Sequence, residues 1–259
     1  MNRLRLHVIA CPVFQRELEM LAAGAKTEVT FRHLEMGLHE GPAENLRSAL
    51  QGAIDGVAAG QCDAIAIGYG LCNRGIVGLE ARVLPVVIPR AHDCIGMLLG
   101  SSRCYLAQLE AQPGTYFQSA GWLENSPANG DVRQQNFPFG PGSIVTREQL
   151  AEKYGGENAD YLLEQFNNLT RHYERLAFIA TPVPEAAKWE KAARKNARAH
   201  GWKFEKLPGD LGWLRRLLNA DWNDREFLKL KPGERVGLRH NEQLIGVEPK
   251  RVSPRKVTF

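Results

Sequence analysis

Residues 62–72, CDAIAIGYGLC, contain the strand and turn that decide the fold. An apolar run without alternation is typical of a strand buried on both faces of a parallel sheet, and the glycines after it indicate a tight turn. Two other apolar runs have the same relation to a cysteine: Leu4–Ala10 stands before Cys11, and Val83–Ile88 stands shortly before Cys94. We therefore predict three parallel strands, each followed by a segment that carries a cysteine.

Helical segments separate these strands. In residues 43–57, apolar side chains recur every three or four positions, as on one face of a helix, and Pro42 suits its first turn. The second half alternates in the same way, with strands at Leu176–Thr181 and Trp202–Leu207 around a helix over 184–200. This order predicts an α/β fold with a Rossmann-like, mostly parallel sheet flanked by helices. Two similar lobes are an alternative, although the sequence contains no visible repeat.

The composition along the chain predicts two lobes and a connection. We place an N-terminal α/β lobe at residues 1–124, a loop at 125–145 and a C-terminal α/β lobe at 146–259. The loop is rich in Gly, Pro, Asn and Gln and has little periodicity. We expect Thr115–Leu123 to be extended and Phe227–Val247 to form a β region.

The overall composition excludes several classes of protein. The chain has 259 residues, of which 44% are hydrophobic and 24% charged, as in ordinary globular proteins. The net charge of +4, from 33 basic and 29 acidic residues, is too small to indicate a nucleic-acid partner. The basic segment 188–198 has helical spacing and is interpreted as a solvated helix face. No apolar stretch reaches the roughly 20 residues that cross a bilayer, so we expect no membrane partner.

Near the N-terminus, the sequence Val8–Cys11 resembles a lipoprotein cleavage site. Only ten residues precede the cysteine, however, and Arg5 and His7 interrupt the apolar run that a signal peptide would need. We therefore expect a cytoplasmic protein. In that compartment its five cysteines stay reduced, which leaves their thiols available as ligands or nucleophiles.

Three of the five cysteines are predicted to share one site. Cys11, Cys72 and Cys94 follow the carboxyl ends of strands, and in an open parallel sheet these ends face one crevice. Thiolates are preferred ligands of zinc and of iron–sulfur clusters such as [4Fe–4S]. Cys62 begins its strand about 20 Å away, and Cys104 lies about 15 Å beyond Cys94 if the segment is helical. We expect those two to pack as small hydrophobes, and burial in the core is also the alternative for each of the other three.

The residues beside Cys94 and Cys72 add chemistry to this site. His92 could be a fourth ligand, a general base or a turn residue, and Arg90 could hold a carboxylate or phosphate. Asp93 is predicted to cap a helix, which would place Cys94 in a first turn where the helix dipole favours the thiolate. Gly70 would allow the backbone to approach a ligand closely.

Four short stretches carry these residues: Ala10-Cys11, Gly37-Leu38-His39, Tyr69-Gly70-Leu71-Cys72 and Pro89-Arg90-Ala91-His92-Asp93-Cys94. In them the chain resembles the domain of unknown function 1638 family of bacterial and archaeal proteins. Matches at Leu99-Gly100-Ser101, Pro113–Tyr116, Gly121-Trp122 and between Asp221 and Gly233 extend the resemblance over nearly the whole chain.

The family has no settled activity, so the resemblance implies a setting and not a reaction. Its members are often associated with corrinoid-dependent methyl-transfer proteins in anaerobic one-carbon metabolism, which implies such proteins as partners. The family motif contains Cys11, Cys72 and Cys94, whereas Cys62 and Cys104 fall outside it.

Two functions remain open. An enzyme, of the class of metal-dependent transferases or lyases, would use three thiolates on a [4Fe–4S] cluster or on zinc and leave a coordination position for a small-molecule substrate. His39 and His92 would transfer protons, while Tyr69, Arg90 and Gly70 would contact the substrate. The alternative is a non-catalytic metal-binding accessory protein that delivers or senses a cofactor.

Overall fold

The computed structural model describes residues 3–126, 147–169 and 172–249 of the chain. Within these residues the predicted α/β fold is confirmed, because mostly parallel strands alternate with helices that flank them. Most of the predicted loop at 125–145 lies outside the described residues.

The first sheet has five strands in the order β2-β1-β3-β4-β8. Its first four strands are parallel, and β8 pairs antiparallel with β4. Every residue of the central strand β3 is buried, as its unbroken apolar run predicts. The strands are β1 (Arg5–Ala10), β2 (Glu28–His33), β3 (Ala64–Gly68), β4 (Val86–Pro89) and β8 (Phe227–Leu230).

The second sheet is parallel, in the order β5-β6-β7, and a separate antiparallel pair joins β9 to β10. Strand β5 comes from the predicted N-terminal lobe and pairs with β6 of the predicted C-terminal lobe. Conversely, β8 comes from the predicted C-terminal lobe and pairs with β4 of the N-terminal lobe. Each sheet thus combines strands from both predicted lobes, and the boundaries near 124 and 145 remain predictions. The strands are β5 (Thr115–Ser119), β6 (Arg175–Ala180), β7 (Lys203–Pro208), β9 (Val236–Leu238) and β10 (Ile245–Val247).

The helices connect and cover these strands. A 3-10 helix at Pro12–Phe14 leads into the first α-helix. The α-helices are α1 (Gln15–Ala22), α2 (Ala43–Asp55), α3 (Cys94–Leu98), α4 (Ser102–Ala111), α5 (Ala120–Asn125), α6 (Arg147–Tyr154), α7 (Gly156–Leu169), α8 (Ala186–His200) and α9 (Gly212–Leu218).

The prediction that Thr115–Leu123 is extended holds only as far as Ser119. There the side-chain oxygen accepts a hydrogen bond from the backbone N–H of Trp122 at 3.2 Å, and helix α5 begins at Ala120. Serine is a favoured N-cap residue, so this short side chain converts the end of a strand into the start of a helix.

One continuous apolar core joins the two sheets. It contains Val8 and Ile67 of the first sheet together with Phe117 and Ile179 of the second. The opposite face of the second sheet packs in a smaller cluster, in which Trp189 of α8 is buried.

The segment after β1 packs closely against helix α5. A Cβ atom at Gly121 would lie 2.0 Å from the carbonyl oxygen of Val13, so only glycine fits there. Nearby, the Asn125 amide donates to the carbonyl oxygen of Pro12 at 3.3 Å. The chain that follows Cys11 is therefore held against helix α5.

We predict that Gly121→Ala destabilises the protein, because the added methyl group would overlap the backbone at Val13. Overpacking of this kind costs about 1–3 kcal/mol in free energy of unfolding, measurable by urea denaturation. Gly52→Ala is the matched control, since no heavy atom lies within 4 Å of its added Cβ in α2. It should raise the free energy of unfolding by about 0.5–1 kcal/mol. Equal stability of both variants would contradict the close approach.

Candidate functional site

Backbone hydrogen bonds lock together the loops that follow β3 and β4. The N–H of Leu71 donates to the carbonyl oxygen of Ala91 at 2.8 Å, and that of Cys72 donates to His92 at 2.9 Å. Gly70 lies between the loops, where a Cβ atom would come within 2.7 Å of the Asp93 nitrogen. The glycine therefore allows backbone to approach backbone, and this contact places Cys72 beside the segment that carries Cys94.

The chain then passes through a left-handed turn. Cys72, Asn73 and Arg74 have φ angles of 38°, 53° and 62°, a conformation that costs non-glycine residues about 1–2 kcal/mol each. Two hydrogen bonds hold the turn: the N–H of Gly75 donates to the Cys72 carbonyl at 3.0 Å, and the Asn73 amide donates to the Gly41 carbonyl at 3.1 Å. Strain that surrounding contacts maintain in this way is common at functional sites.

Cys11, Cys72 and Cys94 lie close together, with Cys11 buried and the other two half-buried. Burial is the main cause that raises the pKa of Cys94, and charge on Asp93, Cys11 or Cys72 would raise it further. The pKa of Cys72 is likewise raised by burial, then by Cys11 and Asp93. These mutual effects place the three thiols in one region at the carboxyl ends of the strands, and their role as ligands remains a prediction.

The three thiols hold their protons at neutral pH in the metal-free protein. Burial raises the pKa of Cys11 to about 11, although the backbone at Val13 and the Tyr69 hydroxyl lower it in part. The expectation that a helix start favours the Cys94 thiolate is wrong. Helix α3 has only five residues, and burial and Asp93 outweigh its dipole.

Tyr69 lies among the three thiols. Its side chain is 3% exposed, and its buried hydroxyl makes no hydrogen bond of standard geometry within the described residues. Burial raises the pKa of this phenol first, followed by the nearby Cys11, Cys72 and Cys94. The hydroxyl therefore keeps its proton beside the three thiols and makes no hydrogen bond of standard geometry there.

Asp93 links the thiols to two further side chains. Its carboxylate accepts a hydrogen bond from the Gly96 N–H at 3.1 Å, so the predicted helix cap is confirmed. Burial and then Asp93 raise the pKa of Tyr105, whereas burial lowers the pKa of half-buried His39 and Asp93 opposes that effect. Tyr105 was missed from the sequence because it belongs to a second helix, α4. The Gly100-Ser101 break between the helices was the available signal.

The surroundings of His92 and Arg90 differ from those of the three thiols. The His92 side chain is exposed. The Arg90 guanidinium donates to the carbonyl oxygens of Asp224 at 3.0 Å, Gln243 at 3.3 Å and Ile245. These bonds tie the loop before Cys94 to the C-terminal segment, and a substrate contact by Arg90 remains a prediction.

The other two cysteines have different environments. Cys62 is buried at the start of the strand region, as expected. The expectation that Cys104 packs as a small hydrophobe is wrong, because α4 buries none of its residues completely and Cys104 is exposed.

Comparison with known proteins identifies a family. A family model described as protein of unknown function (DUF1638) matches residues 33–218. The chain belongs to this family. No curated protein and no solved structure matches it. The matched region of this DUF1638 protein includes Cys72 and Cys94 and begins after Cys11. Among the described residues, no helix is long and apolar enough to cross a membrane.

The donor set of this DUF1638 protein suits a thiophilic metal, but its side chains are not arranged as a ready-made site. Across 3–126, 147–169 and 172–249, no group of three or more His, Cys, Asp or Glu side chains is placed to hold a metal ion. Binding would require the three neutral thiols to lose protons and to close around the metal. The unused Tyr69 hydroxyl fits such a change, because thiolates accept hydrogen bonds better than thiols.

We predict that alkylation separates the cysteines of the metal-free protein by exposure and pH. Exposed Cys104 should react with iodoacetamide first. The rate at buried Cys11 should rise roughly tenfold per pH unit, because the thiolate is the nucleophile, and it should level off near pH 11. Peptide mass spectrometry after timed quenching measures both rates. Labelling of Cys11 as fast as Cys104 near neutral pH would contradict its burial.

Proposed function

We propose that this DUF1638 protein is a metal-dependent enzyme whose Cys11, Cys72 and Cys94 hold a zinc ion or a [4Fe–4S] cluster. The observation that supports this most directly is the meeting of three thiols from three separate strand ends around one buried phenol. If the cysteines served only for packing, nothing would require the strained left-handed turn that begins at Cys72. Nor would they surround a hydroxyl that lacks a partner, since such a group destabilises a folded chain.

Three protein ligands leave one coordination position for substrate, whether on zinc or on the unique iron of a cluster, which would act there as a Lewis acid. The side chains around the thiols supply the remaining groups. His39 is neutral at neutral pH, because burial lowers its pKa, and can therefore accept a proton. Tyr69 and Tyr105 keep their protons and can donate hydrogen bonds to a small-molecule substrate.

A second candidate is a non-catalytic accessory protein that delivers or senses a cofactor. The half-exposure of Cys72 and Cys94 favours it, because a partner protein could then reach a metal held between them. The setting implied by the family resemblance, corrinoid-linked methyl transfer in the cytoplasm, is compatible with either candidate and stays part of the proposal.

We expect the chain purified without oxygen to contain either about four irons and four sulfides or about one zinc per molecule. Elemental analysis and the visible absorption spectrum distinguish these two contents. Cys11→Ala, Cys72→Ala and Cys94→Ala should each lose most of the metal, because two thiolates hold such groups poorly.

Cys62→Ala and Cys104→Ala are the matched controls, and both should retain the metal content of the wild type. Metal-free wild-type protein from cells supplied with iron and zinc would refute the proposal. Equal metal loss in the two control variants would show that the effect is one of folding. Once metal is shown, turnover by the purified protein alone separates the enzyme from the accessory protein.

A further inference from the structure

The Tyr69 hydroxyl is a buried donor that makes no hydrogen bond of standard geometry to the described residues. A phenol can donate one hydrogen bond, and buried hydroxyl groups almost always do so. Within the described residues this one makes none, although the side chain is 3% exposed. Such an exception is explained if a bound ligand, or a change in the protonation of a neighbouring group, supplies the acceptor.

The backbone holds Tyr69 in place from both sides. A Cβ atom at Gly68 would lie 2.7 Å from the Cβ of Ala10, and one at Gly70 would lie 2.7 Å from the Asp93 nitrogen. Tyr69 is thus fixed between the first strand and the loop that carries Cys94. Its hydroxyl has little freedom to find another partner.

Cys11 is the thiol that the strand pairing places beside Tyr69. Ala10 pairs with Gly68 in the parallel ladder, and the Cys11 N–H donates to the Gly68 carbonyl at 3.2 Å. Tyr69 and Cys11 are therefore the first residues after two adjacent strands, and both are buried. The hydroxyl and the Cys11 thiol also influence each other's ionisation, although the geometry between them is short of a standard hydrogen bond.

We infer that Tyr69 is a positioning residue that donates a hydrogen bond to the Cys11 sulfur when this thiol binds metal as a thiolate. The inference rests on the proposed three-cysteine site. Neutral sulfur is a weak acceptor, whereas a thiolate accepts a charge-assisted bond. Groups that hold metal ligands in this way tune both affinity and the electronic properties of the metal.

Co²⁺ added to the metal-free, full-length protein without oxygen tests this role. Tyr69→Phe removes only the hydroxyl and should bind Co²⁺ at the same stoichiometry, with an affinity about 10–100-fold lower. Its thiolate-to-cobalt charge-transfer band should move to lower energy, because a thiolate without the hydrogen bond gives up electron density more easily. Tyr161→Phe, which removes the hydroxyl of an exposed tyrosine on α7, should change neither quantity.

If the chain holds a [4Fe–4S] cluster, the same variants are compared by reduction potential. The potential should fall in Tyr69→Phe alone, since hydrogen bonds to ligand sulfurs stabilise the reduced cluster. Unchanged affinity, band and potential in Tyr69→Phe would overturn the role of Tyr69 and leave the three-cysteine site standing. A wild-type chain that takes up neither Co²⁺ nor a cluster would overturn both.

Proton NMR of the zinc-loaded wild-type protein tests the same bond even if Tyr69→Phe fails to fold. The Tyr69 hydroxyl proton should exchange slowly with water after zinc binds. Fast exchange in the zinc-loaded protein would overturn the inference.

Discussion

Between the loop after β3 and the loop after β4 there is room for a hydrogen atom at Gly70 and for nothing larger. This backbone contact, together with the pairing of β1 and β3, determines where the three cysteines lie. Cys72 follows directly from the contact, and Cys94 begins the helix on its other side. Cys11 enters from β1, and the close packing at Gly121 holds the chain behind it. The site is therefore a product of sheet geometry and does not depend on one flexible loop.

The electrostatics of the cluster follow from its burial. Burial disfavours the charged form of the three thiols and of the Tyr69 phenol, so ionising any of these four groups is unfavourable unless a cation arrives. The metal-free site is accordingly neutral at the sulfurs. A metal would supply the missing positive charge and convert thiols into strong hydrogen-bond acceptors, so that metal, protons and the Tyr69 hydroxyl would be linked.

Much of this arrangement could be predicted from the sequence, because it depends on local patterns and one general rule. Apolar runs identified β1, β3 and β4, and the rule that parallel strands share a carboxyl edge predicted that Cys11, Cys72 and Cys94 lie together. Asp93 was recognisable as a cap from its place before an apolar helix. For these strands and this cap, the local sequence pattern alone indicates the structure that the whole chain adopts.

Other features depend on contacts that no local pattern encodes. The left-handed turn at Cys72–Arg74 is held by Asn73 reaching Gly41, and β8 reaches the first sheet from the far end of the chain. Arg90 is typical of an anion-binding residue, yet its guanidinium binds carbonyl oxygens of a distant segment. The exposure of Cys104 depends on which face of α4 the core covers.

X-ray absorption at the metal edge of the protein isolated without oxygen addresses the central claim directly. The account predicts sulfur as the dominant nearest neighbour of the metal at about 2.3 Å, and loss of the metal signal when Cys11, Cys72 and Cys94 are all replaced. A first shell of nitrogen and oxygen alone, or a sulfur shell that survives the triple replacement, would contradict it.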